Sequence, residues 1–274
     1  MDERINRIAA LANITAYNPD GTREYVDAAP HVKHASLRRL YGEMVVQVFD
    51  DARKHSATPR VLDIGAGEGS VTLPFLELGA QVVATDISSS QLSVLKVKCR
   101  HLEHMLEVRC EDMFDTFKNQ SGKFDIVVMN SFLHHVPDYL GMINDALKLL
   151  GPNGQFFTFQ DPLRYDSVGK PTLLFSKLAY FSWRIFKGDL IGGLKTRIRR
   201  LRGIYLDNSA RDNAEYHVTR NGVDQTAICN LLESQGFDCY IHLYFSTQST
   251  IFQYIGSRLG LKNTFAVVAH KKAL

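Results

Sequence analysis

The stretch Val61-Leu62-Asp63-Ile64-Gly65-Ala66-Gly67-Glu68-Gly69-Ser70 constrains this chain more than any other. An apolar run of strand character ends in glycines at 65, 67 and 69 and leads into a helix-compatible segment, 70–78. Glycine takes the backbone angles of a tight bend and lets a ligand lie against main-chain N–H groups without meeting a Cβ. The same alternation repeats downstream. Segments 80–85, 106–110, 124–129 and 155–160 read as strands, the last after the turn Gly151-Pro152-Asn153-Gly154, and 89–100 and 139–150 read as helices. Continuous apolar runs such as Ile126-Val127-Val128-Met129 suit strands covered on both faces. The pattern predicts a doubly wound α/β core around a mostly parallel sheet.

Glycine spacing separates this loop from a dinucleotide site. In the fingerprint G-x-G-x-x-G begun at Gly65, the third glycine would stand where Ser70 is; here it comes one position early. Carboxylates add the next constraint. The second strand ends at Asp86, where a carboxylate can accept both hydroxyl protons of a ribose. The third ends in Glu111-Asp112-Met113, whose short acidic side chain can accept an adenine amino hydrogen. The fourth ends in Asn130-Ser131-Phe132-Leu133-His134-His135. All four positions lie at carboxyl ends of successive strands, where open α/β sheets bind ligands.

This combination resembles the class I S-adenosylmethionine-dependent methyltransferases, whose first motif is similar to residues 62–69, second-strand acid to Asp86 and post-third-strand acid to Asp112. The resemblance covers residues 58–161 closely and the last fifty loosely. It implies a Rossmann-like sheet of seven strands with the last antiparallel, the closing pair being 237–244 and 264–270. It also implies S-adenosylmethionine as cofactor and S-adenosylhomocysteine as product. By that resemblance Gly65, Ala66, Gly67 and Gly69 would pack against the methionine part, and Asp63 would fix the loop or reach the amino group through water. Asp86 would bind ribose, and Asp112, next to Glu111 and with Ile87 and Met113 as apolar walls, would hold adenine, with Asn130 bordering the site. Small-molecule members commonly fold an N-terminal segment over the cofactor, a closure that Tyr25 or His31 would make here.

A sulfonium methyl is already activated, so the chain needs in-line positioning and, for a hydroxyl acceptor, a proton acceptor. Histidine suits that task near neutral pH. His134 and His135 follow the fourth strand, His217 follows a variable insert, and Asp161 closes the fifth strand. All four are candidate bases. Asp161, Glu215 and His217 have no ligand spacing that demands a metal, and none is expected.

The flanks set the organisation. Residues 1–57 read as a helical lid with a polar loop at 16–25, 58–161 as the cofactor-binding core, 162–218 as an inserted helical cap for the acceptor, and 219–274 as the return to the core. The insert holds an amphipathic helix with Leu174, Leu178, Phe181 and Ile185 on one face and a basic run at 195–202, able to meet an anionic acceptor or membrane surface. Lys and Arg total 32 against 29 Asp and Glu, a balance of +3 that does not imply nucleic acid. An amino-methylating enzyme for bases would carry an Asn/Asp-Pro-Pro-aromatic stretch where Asn130-Ser131-Phe132-Leu133 stands. Four cysteines lie far apart without a C-x-x-C pair, and the N-terminus lacks a continuous apolar run, so a reduced, cytoplasmic protein without disulfides is expected. The resulting expectation is O-methylation of a small molecule such as a sugar or secondary metabolite. A C-methyltransferase on a quinone or lipid, or a cofactor-binding protein without transfer, are the alternatives; oligomeric state stays open.

Overall fold

The computed structural model describes residues 29–119, 124–187 and 216–272. Tyr25, the loop 16–25, the basic run 195–202 and Glu215 lie outside them. A short helix α1 (Pro30–Lys33) leads into α2 (Ala35–Arg53), and then strands and helices alternate. They are β1 (Arg60–Ile64), α3 (Thr72–Glu77), β2 (Gln81–Asp86), α4 (Ser89–Lys98), β3 (Leu106–Cys110), α5 (Met113–Asn119), β4 (Phe124–Asn130), α6 (Tyr139–Leu147) and β5 (Leu150–Pro162). After them come α7 (Lys170–Lys187), α8 (Tyr216–Thr219), α9 (Gln225–Ser234), β6 (Phe237–Tyr244), α10 (Thr250–Arg258) and β7 (Thr264–Lys271).

The seven strands form one sheet in the order β3-β2-β1-β4-β5-β7-β6. β7 runs antiparallel to both β5 and β6, as the resemblance implies. Strand alternation divides the core between two faces. Val61, Val82, Ala84 and Val128 join α2, α3 and α4 on one side. Leu62, Ile64, Val83 and Val127 join α6 and α9 on the other. Two helix starts are set by aspartates: Asp138 accepts from the Gly141 N–H at 3.1 Å, and Asp224 from those of Thr226 and Ala227 at 3.1 and 2.9 Å.

α2, from the segment expected to be helical, buries Tyr41, Val45, Val48 and Phe49 in the same cluster as β1 and β2. Two expectations need correction. Gly151–Gly154 is not a turn before a strand; it lies inside β5 as a register shift, with Phe124 opposite Leu150 and Ile126 opposite Gln155. Cys229 and Cys239 are not apart but joined by a disulfide, Cα atoms 5.6 Å apart, because α9 turns at Gly236 straight into β6. Cys99 and Cys110 are free, and only Cys99 is buried.

Candidate functional site

Carboxyl ends of β1, β2 and β4 surround an open cleft, about 1270 Å³ when the solvent at its mouth is counted. It sits where the strand order reverses between β1 and β4, the crevice in which doubly wound sheets take ligands. Its described lining includes Gly65, Ala66 and Gly67 from the loop, Asp86 and Ile87 after β2, and Glu111, Asp112 and Met113 after β3. Asn130 and His135 border it on the β4 side and His31 of α1 on the other.

The loop is built by local geometry. Gly65 has φ +74°, and a Cβ there would stand 2.2 Å from Cδ2 of Phe132. Only glycine meets both conditions. The loop amides are already engaged: Gly65 and Ala66 donate to the Thr85 carbonyl at 2.9 and 3.0 Å, Gly67 to Asp86 Oδ2 at 2.9 Å, and Gly69 to the Ala66 carbonyl at 3.0 Å. The expectation that these N–H groups would face a ligand is therefore corrected, and the loop is no phosphate cradle. Gly69 packs against Leu95 and does not line the cleft.

Asp86 is the hinge of the site. Its Oδ2 holds Gly67 and its Oδ1 accepts from the Ser88 N–H at 2.8 Å, so the carboxylate is fixed while it borders the cleft. Burial raises its pKa, opposed by those backbone hydrogen bonds. Asp63 lies beneath the loop, outside the cleft lining. Its Oδ2 accepts from Thr72 Oγ1 at 2.6 Å, and its buried Oδ1 has no hydrogen-bond partner. Burial pushes its pKa up to about 7, against the Thr72 hydrogen bond and with help from the charge of Asp86.

The four candidate bases separate sharply. Only His135 lines the cleft. Asp161 is fully buried and cannot meet an acceptor. Its Oδ1 accepts from the backbone N–H of His134 at 3.1 Å and lies 2.8 Å from His134 Nδ1, while Oδ2 lies 2.9 Å from Thr158 Oγ1. The reason is a bulge: pairing with β7 shifts between Phe159 and Asp161, and Gln160 takes φ +72°, turning the aspartate beneath His134. His134 is buried too, its ring centroid 4.0 Å from that of His135. His217 does not face the cleft either; its Nε2 donates to the Val136 carbonyl at 2.9 Å, bracing the segment that carries His135, and burial lowers its pKa.

Some lining residues escaped the sequence reading. Gln91 on α4 is buried at the cleft with an unpartnered Oε1, as is Oδ1 of Asn130. Ser88 caps α4 while lining the cleft, a polar cap just beyond Asp86 that could have signalled it. His31 is buried against the Phe159 ring with its Nδ1 unpartnered, and burial lowers its pKa to about 4. Among the described residues no helix is long and apolar enough to cross a membrane, and no group of three or more His, Cys, Asp or Glu could hold a metal.

The chain is similar to known proteins in sequence and in fold. A "Ubiquinone biosynthesis O-methyltransferase" of Xanthomonas axonopodis pv. citri is 34% identical over 153 residues, covering 56% of this chain and 58% of that protein. The chain thus matches little more than half the length of that curated relative. The crystal structure of magnesium protoporphyrin IX methyltransferase from Synechocystis PCC 6803 with bound SAM has a TM-score of 0.55 at 15% identity, covering 96% of this chain and 97% of that one. The plantazolicin methyltransferase BamL, solved in complex with a triazolic desmethylPZN analog and SAH, has a TM-score of 0.58 at 14% identity, covering 98% and 97%. At those identities the two structures speak for the fold. The family model described as "Methyltransferase domain" matches residues 33–242, and the chain belongs to that family.

Proposed function

We propose that this chain transfers a methyl group from S-adenosylmethionine to a hydroxyl of a small-molecule acceptor. The observation that carries the reading is the polarity of the cleft: among the described lining residues are Glu68, Asp86, Glu111 and Asp112, and no lysine or arginine. Glu68 pairs with Lys98 at 2.8 Å; Asp86 keeps lone pairs beyond those its two backbone donors use. A pyrophosphate would be repelled there, whereas a ligand carrying cationic groups and ribose hydroxyls would be attracted. The unpartnered oxygens of Gln91 and Asn130 fit the same ligand, because both call for donors rather than acceptors.

When bound, S-adenosylmethionine supplies a methyl group on a positively charged sulfur. In this reading Asp86 holds the ribose hydroxyls, and Asp112 with Glu111 takes the adenine amino group between Ile87 and Met113. His135 removes the acceptor proton, with His134 and Asp161 as positioning residues behind it. His31 closes the cleft from α1. The name of the curated relatives supports oxygen as the acceptor atom. Apolar walls at Val32, Phe132, Val136 and Pro137 favour an aromatic hydroxyl over a sugar.

Calorimetric titration with S-adenosylhomocysteine tests the reading. Asp86→Ala should weaken binding by at least about a hundredfold, the loss of two charge-assisted hydrogen bonds. Asp86→Asn, which keeps an acceptor for one of the two backbone donors at Gly67 and Ser88, should remain folded and still bind weakly. Unchanged affinity in the folded Asn variant, or equal affinity of the native chain for a dinucleotide, would overturn it.

A further inference from the structure

Two neighbouring helices present their apolar sides to solvent. In α10 the inward residues are Gln253 and Gly256: Gln253 Nε2 donates to the Phe245 carbonyl at 2.8 Å, and the Phe245 ring lies where a Cβ of Gly256 would be. The opposite face carries Ile251, Tyr254, Ile255 and Leu259, between 40% and 70% exposed. Spaced i, i+3, i+4 and i+8, they form a continuous helical stripe. α7 packs Phe175 against Phe245 and Phe252, yet exposes Leu174 and Leu178, one turn apart, at 61% and 51%. Isolated exposed apolar residues are ordinary, but a contiguous stripe marks an interaction surface.

Charge identifies the partner. The same two helices carry exposed Lys170, Lys177 and Arg258, with exposed Lys262 four residues beyond, and the Arg258 guanidinium lies over the ring of Tyr254 in the stripe. No aspartate or glutamate occurs at 167–187 or at 239–274. A second copy of the same face would bring these cations together with no carboxylate between them. We propose that α7 and α10 dock on the surface of an anionic lipid bilayer, apolar side chains entering the headgroup boundary and cations meeting lipid phosphates. The face is joined to the cleft: Lys33 Nζ donates to the Gln248 carbonyl and His34 Nε2 lies against that of Thr247, both at 2.8 Å. The loop opening α10 thereby anchors α1, whose His31 and Val32 line the cleft. This arrangement suits an amphiphilic acceptor. The inference goes beyond the methyl-transfer reading, and its failure would leave that reading standing.

The test is flotation of the full chain with vesicles of phosphatidylcholine alone or with roughly one-third phosphatidylglycerol. Binding is expected only to the anionic vesicles and should weaken as salt rises. Lys177→Gln with Arg258→Gln should lower it about 25-fold, near fivefold for each cation. Ile251→Ser with Leu259→Ser should lower it at least about tenfold. Titration with S-adenosylhomocysteine on each variant reports folding and the cofactor site independently of lipid. No binding to anionic vesicles, equal binding to neutral ones, indifference to the substitutions, or a dimer in sedimentation that Ile251→Ser with Leu259→Ser dissolves would each overturn the proposal.

Discussion

Asp161 looks from the sequence like a catalytic base and sits in the structure as a buried hydrogen-bond anchor, and two substitutions separate these roles. Its Oδ1 serves two buried donors, the backbone N–H and Nδ1 of His134. Its Oδ2 lies 2.9 Å from Thr158 Oγ1, which is also 2.6 Å from the Met129 carbonyl. Asp161→Ala leaves both His134 donors without an acceptor. At about 1–3 kcal/mol for each buried unsatisfied group, the loss is about 4 kcal/mol. Asp161→Asn offers an oxygen to the same donors and an N–H to Thr158, whose own hydrogen is then free for Met129. Only charge assistance is lost, about 1 kcal/mol. Urea unfolding at unchanged m-value measures both. Methyl-transfer turnover should follow stability, collapsing in the Ala variant and largely retained in Asn, because the 133–135 turn stays in place. Equal destabilisation by Asn and Ala would refute the hydrogen-bond reasoning. A stable but inactive Asn variant would return the aspartate to the chemistry.

Two further outcomes follow from the backbone. Gly65→Ala places a Cβ at φ +74° and 2.2 Å from the Phe132 ring, so it should cost about 3 kcal/mol from left-handed strain and crowding; unfolding midpoints check this, and adding Phe132→Leu should recover the crowding share but not the strain. Cys229→Ser opens a cross-link between residues ten apart and should lower stability by about 2–3 kcal/mol in oxidising buffer, with no difference from the native chain under reductant.

Much of the sheet is legible in the chain because parallel strands buried on both faces are written as unbroken apolar runs, as at 126–129. The acids at 86, 111 and 112 are equally legible, since strand ends in this fold point to one crevice. What escapes the sequence depends on local departures from regularity. Asp161 would continue the strand's alternation were it not for the bulge and the positive φ at Gln160, whose side chain is held by Ser246 at 2.7 Å and lies 3.3 Å from the Tyr244 hydroxyl. His134 and His135 are consecutive, and only the turn at 133–135 decides that one goes inward and the other to the cleft. α10 is unreadable as a packed helix because its inward face is Gln253 and Gly256, the reverse of the pattern that periodicity seeks. The Cys229–Cys239 link depends on how α9 turns at Gly236, with φ +81°.

Two buried groups flanking the cleft give the apo protein opposing pH dependences. Asp63 has a folded pKa of about 7 against 3.8 as the ordinary value. Between those values the folded chain holds a proton that the unfolded chain has lost, so stability falls as pH rises, by about 4 kcal/mol across the window. His31 has a folded pKa of about 4 against 6.5. There the unfolded chain holds the extra proton, so stability falls as pH drops, by about 3 kcal/mol. In the native chain the two slopes nearly cancel between pH 4 and 7. Asp63→Asn keeps an acceptor for Thr72 and should uncover the His31 slope, with unfolding midpoints dropping on acidification; His31→Gln should uncover the Asp63 slope, with midpoints rising. Background from other groups is common to all three proteins and drops out of the differences. Parallel curves for the three would refute both assignments. A positively charged ligand in the cleft favours the ionised form of Asp63, so S-adenosylmethionine binding near pH 7 should release a proton, read as heat that varies with the ionisation enthalpy of the buffer in the native chain and not in Asp63→Asn.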